Sequence, residues 1–271
     1  MKTGINQWAF PAEMPAAQAL VMAKEIGFET FEVCVGDKGP VSLDISEKEG
    51  TAIRMHAEKL GIAVTSVASG MGWQYPLSAP DPKVREQGKD AVRQSLRIAR
   101  WLGADAVLVV PGVVTPDTPY DVALENALAS VQALVPEAEQ LQVAIGIENV
   151  WNKLLLSPVE MRDFIDQCES DCVGAFFDIG NIILMGYPEQ WIRIMGRRIR
   201  KIHAKDFRAP VGNLDGFVML MEGDVNWPAV MAALREAGYE GPLTAEYGPY
   251  KHSLETTLRH CLASLQAILA L

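Results

Sequence analysis

Four residues able to bind a metal or move a proton stand at the ends of short apolar, β-rich runs. Glu148 lies in "VAIGIENV", Asp178 in "AFFDIGN", His203 in "IRKIHAKDF" and Glu246 in "PLTAEYG". Three carboxylates packed in an apolar setting repel one another and resist ionisation unless a cation balances their charge. Three carboxylates and one imidazole form an oxygen-rich ligand set, which favours Mn²⁺ or Mg²⁺, with Co²⁺ or Zn²⁺ as alternatives. The residue types predict one divalent cation site, provided that the fold brings them together.

The elements that must position these residues follow a repeated pattern. A helix-like stretch, a glycine and a β-rich run recur in "AKEIGFETFEV", "AEKLGIAVTSV", "ARWLGADAVLV" and "LREAGYEGPLTAE". The glycine fits a left-handed helix C-cap, and the run after it fits a parallel strand buried on both faces. With "TGINQWAF", the pattern gives candidate strands near residues 2–8, 28–35, 62–68, 105–110, 143–149, 173–178, 199–205 and 242–247.

Eight strand and helix alternations predict a (β/α)8 TIM barrel that spans residues 1–271 as one domain. The chain contains neither a G-x-G-x-x-G fingerprint nor a Walker loop, which disfavours a dinucleotide-binding doubly wound sheet. In a barrel, strands 5 to 8 would carry the four residues to the C-terminal face, where such enzymes build their sites. Each acid alone fits a turn or helix cap, and the histidine fits a packed core residue. Their coincidence on adjacent strands favours the metal site.

Composition narrows the class of partner. Lys plus Arg number 24 against 34 Asp plus Glu, and a formal net charge of -10 disfavours nucleic acid as a partner. The start lacks a signal-peptide core, and charges interrupt every long apolar run, so we expect a cytoplasmic protein that does not span a membrane. The four cysteines predict neither a disulfide framework nor a zinc knuckle. The sequence leaves a homo-oligomer open.

The same segments resemble the sugar-phosphate isomerase/epimerase families of xylose-isomerase-like TIM barrels, over essentially the whole chain. The resemblance is carried by "IENVWN", "FDIGN", "IHAKDF", "EGDVNWPAVMAALREAGYEGP" and "TAEYG". "YPLSAPDPKVREQG" is also similar to the segment after strand 3 in bacterial L-ribulose-5-phosphate 3-epimerases. The resemblance implies that Glu148, Asp178, His203 and Glu246 bind one divalent metal, and that Glu148 and Glu246 also transfer protons.

Two departures bear on the substrate. Ketose 3-epimerases of the tagatose or psicose type carry a histidine and a glutamate where this chain has Asn181 and Leu154, which disfavours that free-sugar subgroup. The phosphopentulose epimerases share the "DIGN" form, but the histidine that they carry after strand 3 is missing from "SVASGMGWQYPLS". The sequence therefore leaves open whether the substrate is a sugar or a sugar phosphate.

The predicted activity is C3 epimerisation of a ketose or ketose phosphate through a metal-stabilised enediolate. Two carboxylates on opposite faces of this intermediate would remove one proton and return another, which inverts the centre. The alternatives are an aldose–ketose or hydroxypyruvate isomerase, an inosose dehydratase, or a non-catalytic sugar-binding barrel. The candidate substrate contacts are Trp8, Glu32, Trp151, Asn181, Lys205 and Arg208, and Asp206 is expected to support the site or cap a helix.

Overall fold

A computed structural model describes residues 1–37, 39–248 and 250–271 of the chain. Eight parallel strands form a closed barrel, because the first strand pairs with both the second and the eighth. The strands are β1 (Lys2–Asn6), β2 (Thr30–Gly36), β3 (Ala63–Ser69), β4 (Ala106–Val109), β5 (Ala144–Glu148), β6 (Val173–Asp178), β7 (Ile199–Ala204) and β8 (Pro242–Ala245). The predicted TIM barrel is confirmed, and the strands lie where the sequence pattern placed them.

Helices follow the strands and cover the barrel. They are Ala16–Ile26, Glu47–Leu60, Met71–Gln74, Pro82–Leu102, Tyr120–Gln132, Val135–Leu141, Pro158–Asp166, Pro188–Met195, Trp227–Glu236 and Leu254–Leu269. The glycines of the repeated pattern end helices as predicted: Gly61 and Gly103 are C-caps with φ of 68° and 77°. Over the described residues, none of these helices has the length and apolar character needed to cross a membrane.

Three two-residue strands lie outside the barrel cycle. Val41–Ser42 extends the sheet beside β2, and Asp206–Phe207 pairs antiparallel with Phe217–Val218. The second pair forms a small ribbon just after β7, so it stands over the C-terminal face of the barrel. That ribbon builds part of the cavity described below.

The interior of the barrel is packed immediately beneath the predicted site. Phe176 is fully buried and lies edge-on to the His203 ring, with the ring centroids 4.6 Å apart. Phe176 and Asp178 are two residues apart on β6, so both side chains point inward. A Cβ atom on Gly146 would come within 2.9 Å of the Phe176 ring, so the glycine on β5 makes room for it. This ring packs beneath the inward-facing residues at the end of β6.

Candidate metal centre and its cavity

The barrel brings the four predicted ligands to one point. Each of Glu148, Asp178, His203 and Glu246 offers one ligand atom, and these atoms all lie within 4.8 Å of one another. Asp178 and His203 are completely buried, Glu148 is 6% exposed, and the Glu246 side chain is 16% exposed. The four side chains are therefore largely shielded from solvent, and Glu246 is the most exposed of them.

A further carboxylate, that of Glu32, is hydrogen-bonded to the His203 ring. His203 Nε2 lies 2.6 Å from Glu32 Oε1, and Ser66 Oγ donates to Glu32 Oε2 at 2.6 Å. Asn6 Nδ2 also donates to Glu32. A carboxylate on one ring nitrogen fixes the ring so that the other nitrogen faces the metal position. Glu32 is completely buried and can position the His203 ring, and its contact with a substrate hydroxyl stays a prediction.

Three converging atoms have charged neighbours but make no hydrogen bond of good geometry. Asp178 Oδ2, His203 Nδ1 and Glu246 Oε2 are buried and make no hydrogen bond of good geometry within the described chain. His203 Nδ1 lies 2.6 Å from Glu246 Oε2 and 3.9 Å from Asp178 Oδ2. Buried polar atoms are otherwise almost always hydrogen-bonded. Orphaned atoms of this kind, aimed at one point, fit a divalent cation.

The two glutamates have opposite pKa shifts. Burial raises the pKa of Glu148 to about 8; Lys205 lowers it, while Glu246 and Asp178 raise it further. Burial also raises the pKa of Glu246, but Lys205 and His203 outweigh burial and bring it down to about 2. Without a bound cation, Glu148 is thus protonated and Glu246 ionised near neutral pH. A pair of carboxyl groups with separated pKa values suits acid and base roles.

The loops after β5 and β6 are joined through two asparagines. Asn149 Nδ2 donates to the Asp178 carbonyl at 2.7 Å, and the Asp178 amide donates back to Asn149 Oδ1 at 2.8 Å. Asn181 Nδ2 donates to the Asn149 carbonyl at 3.0 Å, and the Asn181 amide donates to Asp178 Oδ1 at 2.8 Å. Asn181 thus joins the ends of β5 and β6, which carry Glu148 and Asp178, and its contact with a substrate hydroxyl stays a prediction.

Trp151 reinforces the same connection. Its Nε1 donates to the Asn181 carbonyl at 2.8 Å, and its ring lies 5.4 Å from the Phe207 ring and 5.3 Å from the Phe217 ring. The structure thus places Trp151 in an aromatic cluster behind the site. The predicted sugar contact of this ring remains a prediction.

A cavity of about 640 Å³ opens above the metal centre. Its wall includes Trp8, Lys205, Phe217, Glu246, Tyr247 and Tyr250. Trp8 is 39% exposed at this mouth, and its contact with the C–H face of a sugar stays a prediction. Because Glu246 and Lys205 belong to both the cluster and the wall, a molecule in the cavity would reach the ligand atoms directly.

Asp206 anchors one wall of the cavity. Its Oδ2 accepts hydrogen bonds from the Met221 amide at 2.8 Å and Trp227 Nε1 at 3.0 Å, and its Oδ1 accepts from the Phe207 and Val225 amides at 2.9 and 3.2 Å. Asp206 is completely buried. Its side chain therefore fixes the loop that follows β7.

Arg208 lies beside this loop on the surface. Its Nε donates to the Glu222 carbonyl at 3.2 Å, and the residue is exposed and is not part of the cavity wall. The contact of Arg208 with an anionic substrate group therefore requires the side chain to leave this hydrogen bond, and it stays a prediction.

We expect Asp206→Asn to lower the free energy of unfolding by about 2–4 kcal/mol, because the amide nitrogen cannot accept from Met221 and Trp227 and leaves two buried donors unpaired. Urea denaturation followed by circular dichroism measures this loss. Asp215→Asn is the matched control in the same loop, since its exposed side chain makes no hydrogen bond in the described structure. An equal loss in both variants would contradict the anchoring role.

The sequence reasoning did not identify three residues that support the site. Asn6 and Ser66 are polar residues on inward-facing strand positions, where an apolar side chain is usual, and this mismatch was the available signal. Asn149 follows Glu148 directly in "IEN", and two consecutive polar residues at a strand end were the available signal for Asn149. The three lie around the ligands and fix their orientation.

Comparisons with known proteins agree with this architecture. The family model described as "Xylose isomerase-like TIM barrel" matches residues 20–267. L-ribulose-5-phosphate 3-epimerase UlaE of Salmonella typhi is 25% identical over 246 residues, which are 90% of this chain and 86% of the relative. D-psicose 3-epimerase from Clostridium cellulolyticum H10, solved with D-tagatose, superposes with a TM-score of 0.81 at 19% identity, over 99% of both chains. The IOLI protein, solved with a bound zinc atom, gives a TM-score of 0.82 at 16% identity, over 100% of this chain and 98% of that one.

Proposed function

The chain belongs to the xylose isomerase-like TIM barrel family, and from this premise we propose that it epimerises a ketose or ketose phosphate at C3. The observation that carries the proposal is the position of two glutamates around one cluster of ligand atoms. Glu148 ends β5 and Glu246 follows β8, three strands further around an eight-stranded barrel. Their carboxylates therefore approach the centre from different sides, as the inversion of a carbon centre requires.

The proton transfers follow from the charge states of the two glutamates. The C3 proton of a ketose lies beside the C2 carbonyl and is weakly acidic, so a positioned carboxylate can remove it. In the metal-free cluster the pKa of Glu246 is lowered and that of Glu148 is raised, and we therefore assign Glu246 as the base in one direction and Glu148 as the group that returns a proton to the opposite face. The two roles exchange in the reverse direction. This exchange gives a reversible epimerisation without a net change in charge.

The ligand set supports a divalent cation, for which we propose Mn²⁺, with Mg²⁺, Co²⁺ or Zn²⁺ as alternatives. Held by Glu148, Asp178, His203 and Glu246, it would polarise the substrate carbonyl and offset the negative charge that develops on the substrate oxygens. His203 keeps its ring orientation through Glu32, and Asp178 keeps its orientation through the two asparagines. These two residues hold the site and move no proton.

The substrate class is supported by relatives and by the cavity. The Salmonella typhi relative is named as an epimerase of L-ribulose 5-phosphate, and D-psicose and D-tagatose are named for the solved neighbour. The cavity of about 640 Å³ is large enough for a monosaccharide, and Trp8, Phe217, Tyr247 and Tyr250 give it an aromatic wall suited to sugar C–H faces. We therefore propose pentuloses, hexuloses and their phosphates as the panel to assay.

Proton NMR of these substrates in D₂O with Mn²⁺ tests the proposal. We expect deuterium to enter at C3 and a second ketose, inverted at C3, to appear at the same time. A new aldehyde signal would instead identify aldose–ketose isomerisation, and loss of water would identify a dehydratase. Tight ketose binding with no exchange of any carbon-bound proton and no new product would contradict a catalytic role on these substrates.

A further inference from the structure

Lys205 occupies a position in direct contact with the predicted ligands. Its Nζ lies 3.0 Å from Asp178 Oδ2 and 3.0 Å from Glu246 Oε2, and only 16% of its side chain is exposed. The same two oxygens are the orphaned carboxylate atoms that converge on His203 Nδ1. The ammonium group and a divalent cation would therefore compete for Asp178 Oδ2 and Glu246 Oε2.

Lys205 Nζ and a divalent cation would lie close together if both contacted Asp178 Oδ2 and Glu246 Oε2. Carboxylate oxygens bind divalent cations at about 2.0–2.2 Å. A cation bound to both oxygens would lie within about 5 Å of Nζ at its observed position, given the two 3.0 Å contacts. Two positive charges this close repel strongly in a buried site, where water screens them little. Binding of the divalent cation therefore favours movement of the Lys205 ammonium away from these two oxygens.

The cavity provides a place for the displaced side chain. Lys205 forms part of its wall, and the long aliphatic stem allows Nζ to swing without moving the backbone. The Phe217 ring centroid already lies 5.6 Å from Nζ, and an aromatic face attracts an ammonium group at this range. In the cavity, the ammonium would face the oxygens of a bound sugar.

We propose that Lys205 is a displaceable counter-cation, which neutralises Asp178 and Glu246 until a divalent cation binds and then moves beside Phe217 to contact the substrate. This inference rests on the metal site of the proposed function. It assigns Lys205 two successive partners, the ligand carboxylates and then the substrate. The barrel can thus fold with its acidic cluster balanced before any metal arrives.

Chemical labelling of the unaltered protein tests the movement. Acetic anhydride is applied to chelator-treated protein and to protein loaded with Mn²⁺, and acetylation of the Lys205 peptide is measured by mass spectrometry. We expect several-fold more acetylation of Lys205 after loading, because its ion pairs are then broken. Lys201 on the same strand is the internal control, since its ion pair with Asp105 lies outside the metal cluster. Equal or lower Lys205 acetylation in the loaded protein would overturn the proposal.

Calorimetry on a variant tests the competition. We expect Lys205→Met to bind Mn²⁺ about tenfold more tightly than the unaltered protein, because no ammonium has to be displaced. Lys201→Met is the matched control and should bind Mn²⁺ with unchanged affinity. Weaker or equal binding by Lys205→Met would show that the ammonium does not compete for the carboxylates. If neither the unaltered protein nor Lys205→Met binds any divalent cation, the metal site itself fails, and Lys205 is a permanent counter-ion.

Discussion

Replacing Glu246 with glutamine is expected to lower turnover by about 10²- to 10⁴-fold, while the barrel stays folded. Glutamine keeps the size of the side chain but can neither accept nor return the C3 proton. It also removes the negative charge that faces Lys205 and His203, so the free energy of unfolding should fall, and circular dichroism checks that the variant is still folded. The same reasoning applies to Glu148→Gln. Steady-state kinetics at saturating Mn²⁺ measures both variants.

Because both glutamates are also proposed ligands, the design separates loss of the proton carrier from loss of the metal. Asp178→Asn removes a ligand that has no proton to transfer, so excess Mn²⁺ should restore part of its activity. Excess Mn²⁺ should not rescue Glu148→Gln or Glu246→Gln. Glu236→Gln, on an exposed helix where the residue pairs with Arg193, controls for the substitution itself. Near-normal turnover in either site variant would reject the acid–base assignment.

Removal of divalent cations is expected to abolish turnover, and Mn²⁺ is expected to restore it. Without the cation, Asp178 and Glu246 keep Lys205 and His203 as their charged neighbours but lose the Lewis acid that the reaction needs. A cation that binds only the folded chain also stabilises it, by about 2.7 kcal/mol at a hundredfold excess over the dissociation constant. For a chain of this size, that corresponds to a rise of roughly 5–10 °C in the melting temperature.

Differential scanning fluorimetry after dialysis against a chelator measures this rise separately from activity. Mn²⁺, Mg²⁺, Co²⁺ and Zn²⁺ are titrated in parallel, so the order of stabilisation also ranks the metals. His203→Ala is the matched variant, and its melting temperature should respond weakly to every cation. Full turnover in the dialysed protein would remove metal chemistry from the mechanism.

The sequence predicted the parts of the site that depend on strand order. Glu148, Asp178, His203 and Glu246 end consecutive β-rich runs, and the closure of a parallel barrel is enough to bring such ends together. The boundaries were also close, because the helix-ending glycines and the buried strands leave clear local signals. The convergence of such side chains can thus be inferred from one chain.

Contacts across the barrel could not be predicted in the same way. Glu32 and His203 are 171 positions apart, and nothing local in either segment indicates that they share a hydrogen bond. The sequence predicts Asn181 as a substrate contact but gives no sign that its Nδ2 donates to the Asn149 carbonyl. The ion pairs of Lys205 likewise depend on side-chain directions at two different strand ends. Such roles depend on packing, which a linear pattern does not contain.

Asp206, in the first strand of the ribbon, affects which residues of this barrel can be substituted during evolution. Asp206 fixes the loop through main-chain amides and one indole, and amides are offered by any residue except proline. Side chains such as Phe217 and Met219 can therefore be exchanged while the loop keeps its course. The wall of the cavity can then vary in sequence while Glu148 and Glu246, which lie on β5 and after β8, stay unchanged.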